Sequence, residues 1–147
     1  MLTLNNNPIL SVDQIDILKL FFSSSLGQKF FLTGGTALSA FYLAHRQSKD
    51  LDLFSIEDYD ALELEKVVEM LASNLDTTVE TKVVTNTYRE VYLTHQKKQW
   101  VQRLDFVKDQ SVLFGKRKKI DHIIVDSLEN IAAGKILTVY SRFEPKE

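Results

Sequence analysis

The apolar positions of the first 45 residues predict a helix, a short strand and a second helix. Residues 11–24 have apolar side chains at helical spacing, behind a Ser-x-x-Gln pattern that is typical of a capping box. The apolar segment 29–33 is too short for a helix and predicts a strand, which ends at Gly34-Gly35. A helical segment over 36–45 follows that glycine pair directly.

A second strand follows, in which polar and apolar residues alternate. Leu51 and Leu53 alternate with Asp50 and Asp52, and side chains two positions apart in a strand point to the same face. The leucines therefore predict a buried face, and the two aspartates are expected to project together from the other. We expect the strand, glycine turn, helix and second strand to form a β-α-β unit.

In the remainder of the chain, the spacing of apolar residues is helical in some segments and has the period of two of a strand in others. Residues 58–74 predict a helix, and the acidic residues in and before its first turn favour capping and solvation rather than a metal cluster. From residue 77 the period becomes two, which predicts an antiparallel meander of three strands over 77–84, 87–95 and 99–107. One more short strand is predicted over 120–125, and Ser127 is the expected N-cap of a last helix, from Leu128 to about Arg142.

Composition is that of one soluble globular domain. The chain has 147 residues, of which 44% are hydrophobic and 26% charged, and its net charge is −2. It has no cysteine, no apolar run of membrane-spanning length and no signal-peptide pattern, so we expect a cytoplasmic protein without a membrane partner. With this charge, contact with nucleic acid requires a local patch such as the basic run 116–119, which is otherwise a solvated surface.

The glycine pair has the features of a phosphate site. Gly34 and Gly35 let the backbone turn sharply and approach a ligand closely. The free N–H groups of the helix that starts near Thr36 are suited to binding an anion. Thr36 is a candidate phosphate contact or a plain N-cap, and a glycine pair is also common in ordinary turns.

The paired aspartates have the features of a cation site. Asp50 and Asp52 are expected to repel each other, and a divalent cation relieves such repulsion; their hard oxygen ligands suit Mg²⁺ or Mn²⁺. A solvated strand edge is the alternative. A phosphate-binding turn beside a cation site is suited to nucleotidyl transfer, with a nucleoside triphosphate (NTP) as substrate.

Asp105 is a second unusual acid, since it lies among apolar residues near the end of the third meander strand. A buried carboxylate costs several kcal/mol unless it has a cation or hydrogen bonds nearby. Arg103, on the same face two residues earlier, is one candidate partner. A nearby cation is the other.

The segment GGTALS…HRQSKDLDLF, within Phe31–Ser55, resembles the AbiEii/AbiGii (MenT-like) family of nucleotidyltransferase toxins. That family belongs to the polymerase-beta-like nucleotidyltransferase superfamily. Asp105 and the segment 128–142 are similar to the family more loosely. The resemblance implies that Asp105 completes the metal site with Asp50 and Asp52.

The resemblance also implies further site residues. In the family-like pattern H-R-x-S-x-D, Arg46 and Ser48 lie beside the metal site, where Arg46 is suited to a triphosphate oxygen. Lys135, expected among apolar neighbours on the last helix, matches a lysine in the family's active site. We therefore predict Lys135 as a cation that binds the triphosphate.

The expected fold is α/β (α+β), with a nucleotidyltransferase-like mixed sheet of about five or six strands flanked by helices. Residues 1–147 are expected to form a single nucleotidyltransferase domain that lacks the family's C-terminal helical part, because family members continue into a further acidic motif. The implied partners are RNA, in particular tRNA, as the acceptor and a cognate antitoxin. A nucleotide-binding module without catalysis, or an adenylyltransferase of a small molecule such as an antibiotic, are the alternative functions.

Overall fold

The computed structural model describes residues 3–44, 49–109 and 113–143, with side chains up to residue 136. The helices are α1 (Val12–Phe22), α2 (Gly34–Ala37, continued as a π-helix over Leu38–Leu43), α3 (Ala61–Asn74) and α4 (Leu128–Phe143). The strands are β1 (Phe31–Thr33), β2 (Leu51–Ser55), β3 (Thr78–Val84), β4 (Tyr88–His95), β5 (Trp100–Lys108), β6 (Lys118–Ile120) and β7 (Ile123–Val125). No helix in these ranges is long and apolar enough to cross a bilayer.

All seven strands belong to one mixed sheet, in the order β3-β4-β5-β2-β1-β7-β6. The mixed sheet flanked by helices and the antiparallel meander β3-β4-β5 are confirmed. The sheet has more strands than expected because the segment 120–125 is part of a hairpin rather than one strand. Asp121 and His122 form its turn with φ of 48° and 72°, and a two-residue turn with both residues left-handed matches the twist of the strands.

Strands β1 and β2 run antiparallel, which corrects the predicted β-α-β unit. The chain leaves the π-helix at Ala44, which is left-handed with φ 52°. It then returns to the first turn of α2, where the Thr36 hydroxyl donates a hydrogen bond to the Asp50 carbonyl. Because β2 starts at the end where β1 stops, Thr33 lies opposite Asp52.

The core lies on one face of the sheet, beneath α1 and α3. Leu51 and Leu53 of β2 are fully buried there, as the alternation predicted. Aromatic rings of three elements meet in this layer: the ring of Phe21 lies 5.3 Å from that of Phe30 and 5.6 Å from that of Phe106. This packing fixes β2 and β5 side by side and leaves their other face to the aspartates.

The predicted helix caps are present. Ser11 and Gln14 form the capping box of α1, and the Ser127 hydroxyl accepts a hydrogen bond from the Asn130 N–H at 3.0 Å. Helix α3 begins at Ala61 rather than at residue 58, because Asp60 is its N-cap and accepts from the Leu62 N–H. Asp60 is thus a capping group, as expected, whereas Asp58 is exposed and forms an ion pair with Lys108.

Candidate active site

The site is built around two carboxylates on neighbouring strands. Asp52 of β2 lies directly opposite Asp105 of β5 in a parallel pairing, on the face away from the core. Asp105 is buried and Asp52 is half-buried. Burial, followed by the charge of Asp105 and a hydrogen bond to it, and then the charge of Asp50, raises the pKa of Asp52 to about 7. A pKa of about 7 means that Asp52 is partly protonated near neutral pH.

Asp105 has further partners on the meander. The Tyr88 hydroxyl donates to Asp105 Oδ1 at 3.0 Å, and Arg103 Nε donates to the same oxygen at 3.1 Å. Arg103 Nη2 also reaches the Tyr88 hydroxyl and Glu90 Oε1, both at 3.2 Å. The expected Arg103 partner is thus present. Sequence analysis missed Tyr88 and Glu90, although the register of a meander places Glu90 opposite Asp105.

These carboxylates fit a hard divalent cation in their chemistry. The Tyr88 hydroxyl and Arg103 Nε both donate to Asp105 Oδ1, and Asp52 is also hydrogen-bonded to Asp105. Burial, followed by the charge of Asp105, raises the pKa of Asp52, and a divalent cation would relieve the repulsion between the two carboxylates. Asp50 precedes β2 and is exposed, and among the described side chains no three carboxylate or imidazole groups form a complete cation site. The structure therefore brings together Asp52 and Asp105, with Asp50 outside the pair.

Gly34 touches this carboxylate pair. Its φ is +78°, and a Cβ at this position would lie 2.2 Å from Asp52 Oδ2. Only glycine permits the turn to pass so close to the carboxylate. Gly35 lies in the first turn of α2, which begins at Gly34 and not at Thr36. The glycine pair therefore lies next to the carboxylates, as the order of the motifs predicted.

Thr36 has a different place from the one expected. It is fully buried, and its hydroxyl donates to the Asp50 carbonyl, so it is not the N-cap of α2. The N-cap is Thr33, whose hydroxyl donates to Asp126 Oδ2 at 2.6 Å instead of capping the helix. A phosphate contact of Thr36 through its backbone N–H stays a prediction.

Asp126 is the centre of a buried network that the sequence analysis missed. It is 1% exposed, and its carboxylate accepts hydrogen bonds from Thr33, from the Ser127 N–H and from the Asn130 amide. The Tyr42 hydroxyl donates to its backbone carbonyl at 2.6 Å. These contacts tie the end of β1 to the start of α4 and to the π-helix. The available signal was an aspartate directly before the Ser127 N-cap.

The predicted cationic residues are less well placed. Arg46 and Ser48 lie outside the described residues. Lys135 is exposed on α4, and its neighbour Ile136 is 69% exposed. The apolar face expected around Lys135 is only partly covered in the described part of α4, because Ile131 is buried whereas Leu128 is 41% exposed. The role of Lys135 toward a triphosphate stays a prediction.

The raised pKa of Asp52 predicts a pH-dependent stability. The folded chain holds a proton here that the unfolded chain releases near pH 4, so the stabilisation is complete below about pH 4 and lost as pH rises through about 7. We expect Mg²⁺ to raise the melting temperature more at pH 8 than at pH 6, where the cation competes with that proton. Thermal unfolding at both pH values tests this, and equal shifts would contradict it.

Comparison with known proteins shows the relatives of this fold. A family model described as the nucleotidyl transferase AbiEii toxin of type IV toxin–antitoxin systems matches residues 16–146. The crystal structure of JHP933 from Helicobacter pylori has a TM-score of 0.64 and 16% sequence identity, over 89% of this chain and 56% of that one. A second H. pylori structure, described as a candidate nucleotidyltransferase, has a TM-score of 0.60 and 18% identity, over 82% and 53%.

At these identities the two structures show a shared fold, and the chain spans about half of their length. No curated protein matches the chain.

Proposed function

The chain belongs to the AbiEii nucleotidyltransferase toxin family of type IV toxin–antitoxin systems, and on that basis we propose that it transfers a nucleoside monophosphate from an NTP to an acceptor hydroxyl. The single observation that carries this proposal is the direct pairing of Asp52 with Asp105 beside the Gly34 turn. A carboxylate pair next to a backbone turn suits a reaction in which a triphosphate is held and its charge is neutralised.

We assign each residue a task in this reaction. Asp50, Asp52 and Asp105 would hold Mg²⁺ or Mn²⁺, which when bound neutralises the triphosphate and polarises its phosphorus atom. Asp105 also accepts the proton of the attacking hydroxyl, while Tyr88 and Arg103 hold its other oxygen. The leaving group is pyrophosphate.

The triphosphate is assigned to the other side of the pair. The backbone N–H groups of Gly34, Gly35 and Thr36 at the start of α2 face the end of β1 and are suited to phosphate oxygens. Arg46, Ser48 and Lys135 are proposed to add polar and positive contacts. The acceptor hydroxyl then attacks the phosphorus atom from the side opposite the leaving pyrophosphate, as in-line displacement requires.

The proposed acceptor is RNA, in particular tRNA, and the proposed contact is the basic run 116–119. Arg117 lies with its guanidinium 4.9 Å from the ring of Phe31, which pairs with Phe54 across β1 and β2. The pair of Thr33 and Asp52 lies two positions further along the same face, about 7 Å from the pair of Phe31 and Phe54. An open cavity of about 550 Å³ beside this face is lined by Phe114, Lys116 and Arg117. Exposed lysines lie next to it, and together they suit the binding of a phosphate backbone.

An assay with the four α-labelled NTPs, Mg²⁺ and total cellular RNA tests the proposal. We expect label from one or more NTPs in RNA, with release of pyrophosphate, and none in the presence of EDTA. Replacing Lys116, Lys118 and Lys119 by alanine should lower labelling roughly tenfold at 150 mM salt and more at 50 mM, because a variant that neutralises fewer phosphates gains less affinity as the salt concentration falls.

One control variant and two alternative outcomes complete this assay. The double variant Lys97→Ala/Lys98→Ala removes exposed charge from the β4–β5 turn and should label RNA like the wild type. Labelling of an added aminoglycoside rather than RNA would favour a small-molecule adenylyltransferase. NTP binding without label in any acceptor would contradict transfer and favour a nucleotide-binding module.

A further inference from the structure

The two residues at the entry to β2 are held by side chains from three different elements. The amide Nε2 of Gln102 on β5 donates to the Lys49 carbonyl at 2.6 Å, and Nε2 of Gln14 on α1 donates to the same oxygen at 3.3 Å. The Thr36 hydroxyl of α2 donates to the next carbonyl, that of Asp50. We name these three side chains the carbonyl clamp.

The clamp consists of polar groups in places where apolar ones are usual. Gln14 is 6% exposed, Gln102 is 7% exposed and Thr36 is fully buried. Buried amides are retained only when they are hydrogen-bonded, and here they are. Gln102 Nε2 also donates to the Arg103 carbonyl at 2.9 Å, and Gln14 Oε1 accepts from the Ser11 N–H at 3.0 Å. Each glutamine thus joins the clamp to its own element.

The sheet alone does not fix Asp50. The pairing of β2 with β5 begins at Leu51 and Leu104, so Asp50 lies before the first paired residue. Its side chain is exposed. The clamp donates hydrogen bonds to the carbonyls of Lys49 and Asp50, which lie on either side of the Asp50 Cα. These bonds restrain the direction in which the Asp50 side chain leaves the backbone.

We propose that Gln14, Gln102 and Thr36 are positioning residues that set the geometry of the D-x-D carboxylates for a divalent cation. The inference rests on the proposed function, in which Asp50 and Asp52 hold that cation. Groups that orient the ligands of a metal typically change its affinity roughly ten- to a hundredfold when they are removed. The clamp orients its ligands through the backbone, and none of its members touches the cation.

The chain permits substitutions that remove one contact at a time. Gln14→Glu keeps an oxygen for the Ser11 N–H, and so keeps the capping box, but has no N–H to donate to the Lys49 carbonyl. Thr36→Val removes the hydroxyl with little change in shape, and Thr36→Ser restores it. Gln96→Glu makes the charge change of Gln14→Glu in the exposed β4–β5 turn and is the matched control.

Two measurements on the intact chain test the clamp. Calorimetric titration with Mn²⁺ should give an affinity roughly tenfold weaker in Gln14→Glu and in Thr36→Val than in the wild type. Hydrogen exchange of metal-free protein should be faster in the peptide 49–53 of both variants. Thr36→Ser and Gln96→Glu should behave like the wild type in both measurements.

A purely structural role is tested by Ile17→Val, which removes a buried methyl group from α1 and none of the clamp's hydrogen bonds. It should lower the melting temperature without changing Mn²⁺ affinity. Wild-type affinity in both clamp variants, with binding lost in Asp52→Asn, would overturn the clamp and leave the proposed function intact. If the wild type binds no Mn²⁺, the proposed function fails, and the clamp has no metal ligands to position.

Discussion

Asp52→Asn is expected to lower nucleotidyl transfer by roughly a thousandfold or more while the chain stays folded. Asparagine has the shape of aspartate but lacks its charge, so the pair with Asp105 loses one of its two anionic ligands. Burial, followed by the charge of Asp105, raises the pKa of Asp52, and the neutral asparagine has neither cost, so the metal-free variant should melt at a higher temperature than the wild type at pH 8. The initial rate of RNA labelling and thermal unfolding measure the two effects.

The opposite signs of these effects make the prediction specific. A substitution that damages the fold lowers both activity and melting temperature, whereas loss of a functional charge lowers only activity. Asp16→Asn, at an exposed position of α1, makes the same chemical change and should alter neither. Full activity in Asp52→Asn would exclude Asp52 as a cation ligand.

Gly34→Ala is expected to lower transfer by roughly a hundredfold, because it displaces Asp52. The new methyl group would lie 2.2 Å from Asp52 Oδ2 and 3.0 Å from its Cγ, so the carboxylate has to move. A displacement of about 1 Å at a reacting group is enough for a loss of this size. The left-handed φ of +78° adds a backbone cost of about 1–2 kcal/mol. The rate of labelling and the melting temperature are the measurements.

Gly134→Ala is the matched control for that substitution. It lies in α4, where an added Cβ meets no atom of the described residues within 4 Å outside the backbone of its own helix, and alanine is the better helix former. It should keep its activity and melt at the same or a higher temperature. If Gly34→Ala were as active as the wild type, the close approach of the turn to Asp52 would have no part in catalysis.

Much of this arrangement was predictable because local periodicity determines it. The alternation around Asp52 indicated which face of β2 is buried, and the apolar surroundings of Asp105 indicated an acid that requires a partner. As the last strand of the predicted meander, β5 was then available to pair with β2. The motifs therefore predicted both members of the carboxylate pair without any knowledge of the pairing between β2 and β5.

The remainder depends on contacts that no local pattern records. Asp126, Tyr42 and Thr33 come from separate elements and meet only in the folded chain. The antiparallel pairing of β1 with β2 has no local signal either, and nor does the left-handed conformation of Ala44 at the end of the π-helix. Helical spacing located the apolar stripe beside Lys135 but does not say whether a neighbour covers it.

The parallel pairing of β2 with β5 also bears on when the site forms during folding. The meander strands are neighbours in sequence and their turns close quickly, whereas the pairing of β2 with β5 spans α3 and two further strands. We therefore expect Asp52 and Asp105 to meet late. A ribosome-bound chain that has not yet released β5 has no carboxylate pair, so the candidate site is complete only once the sheet is closed.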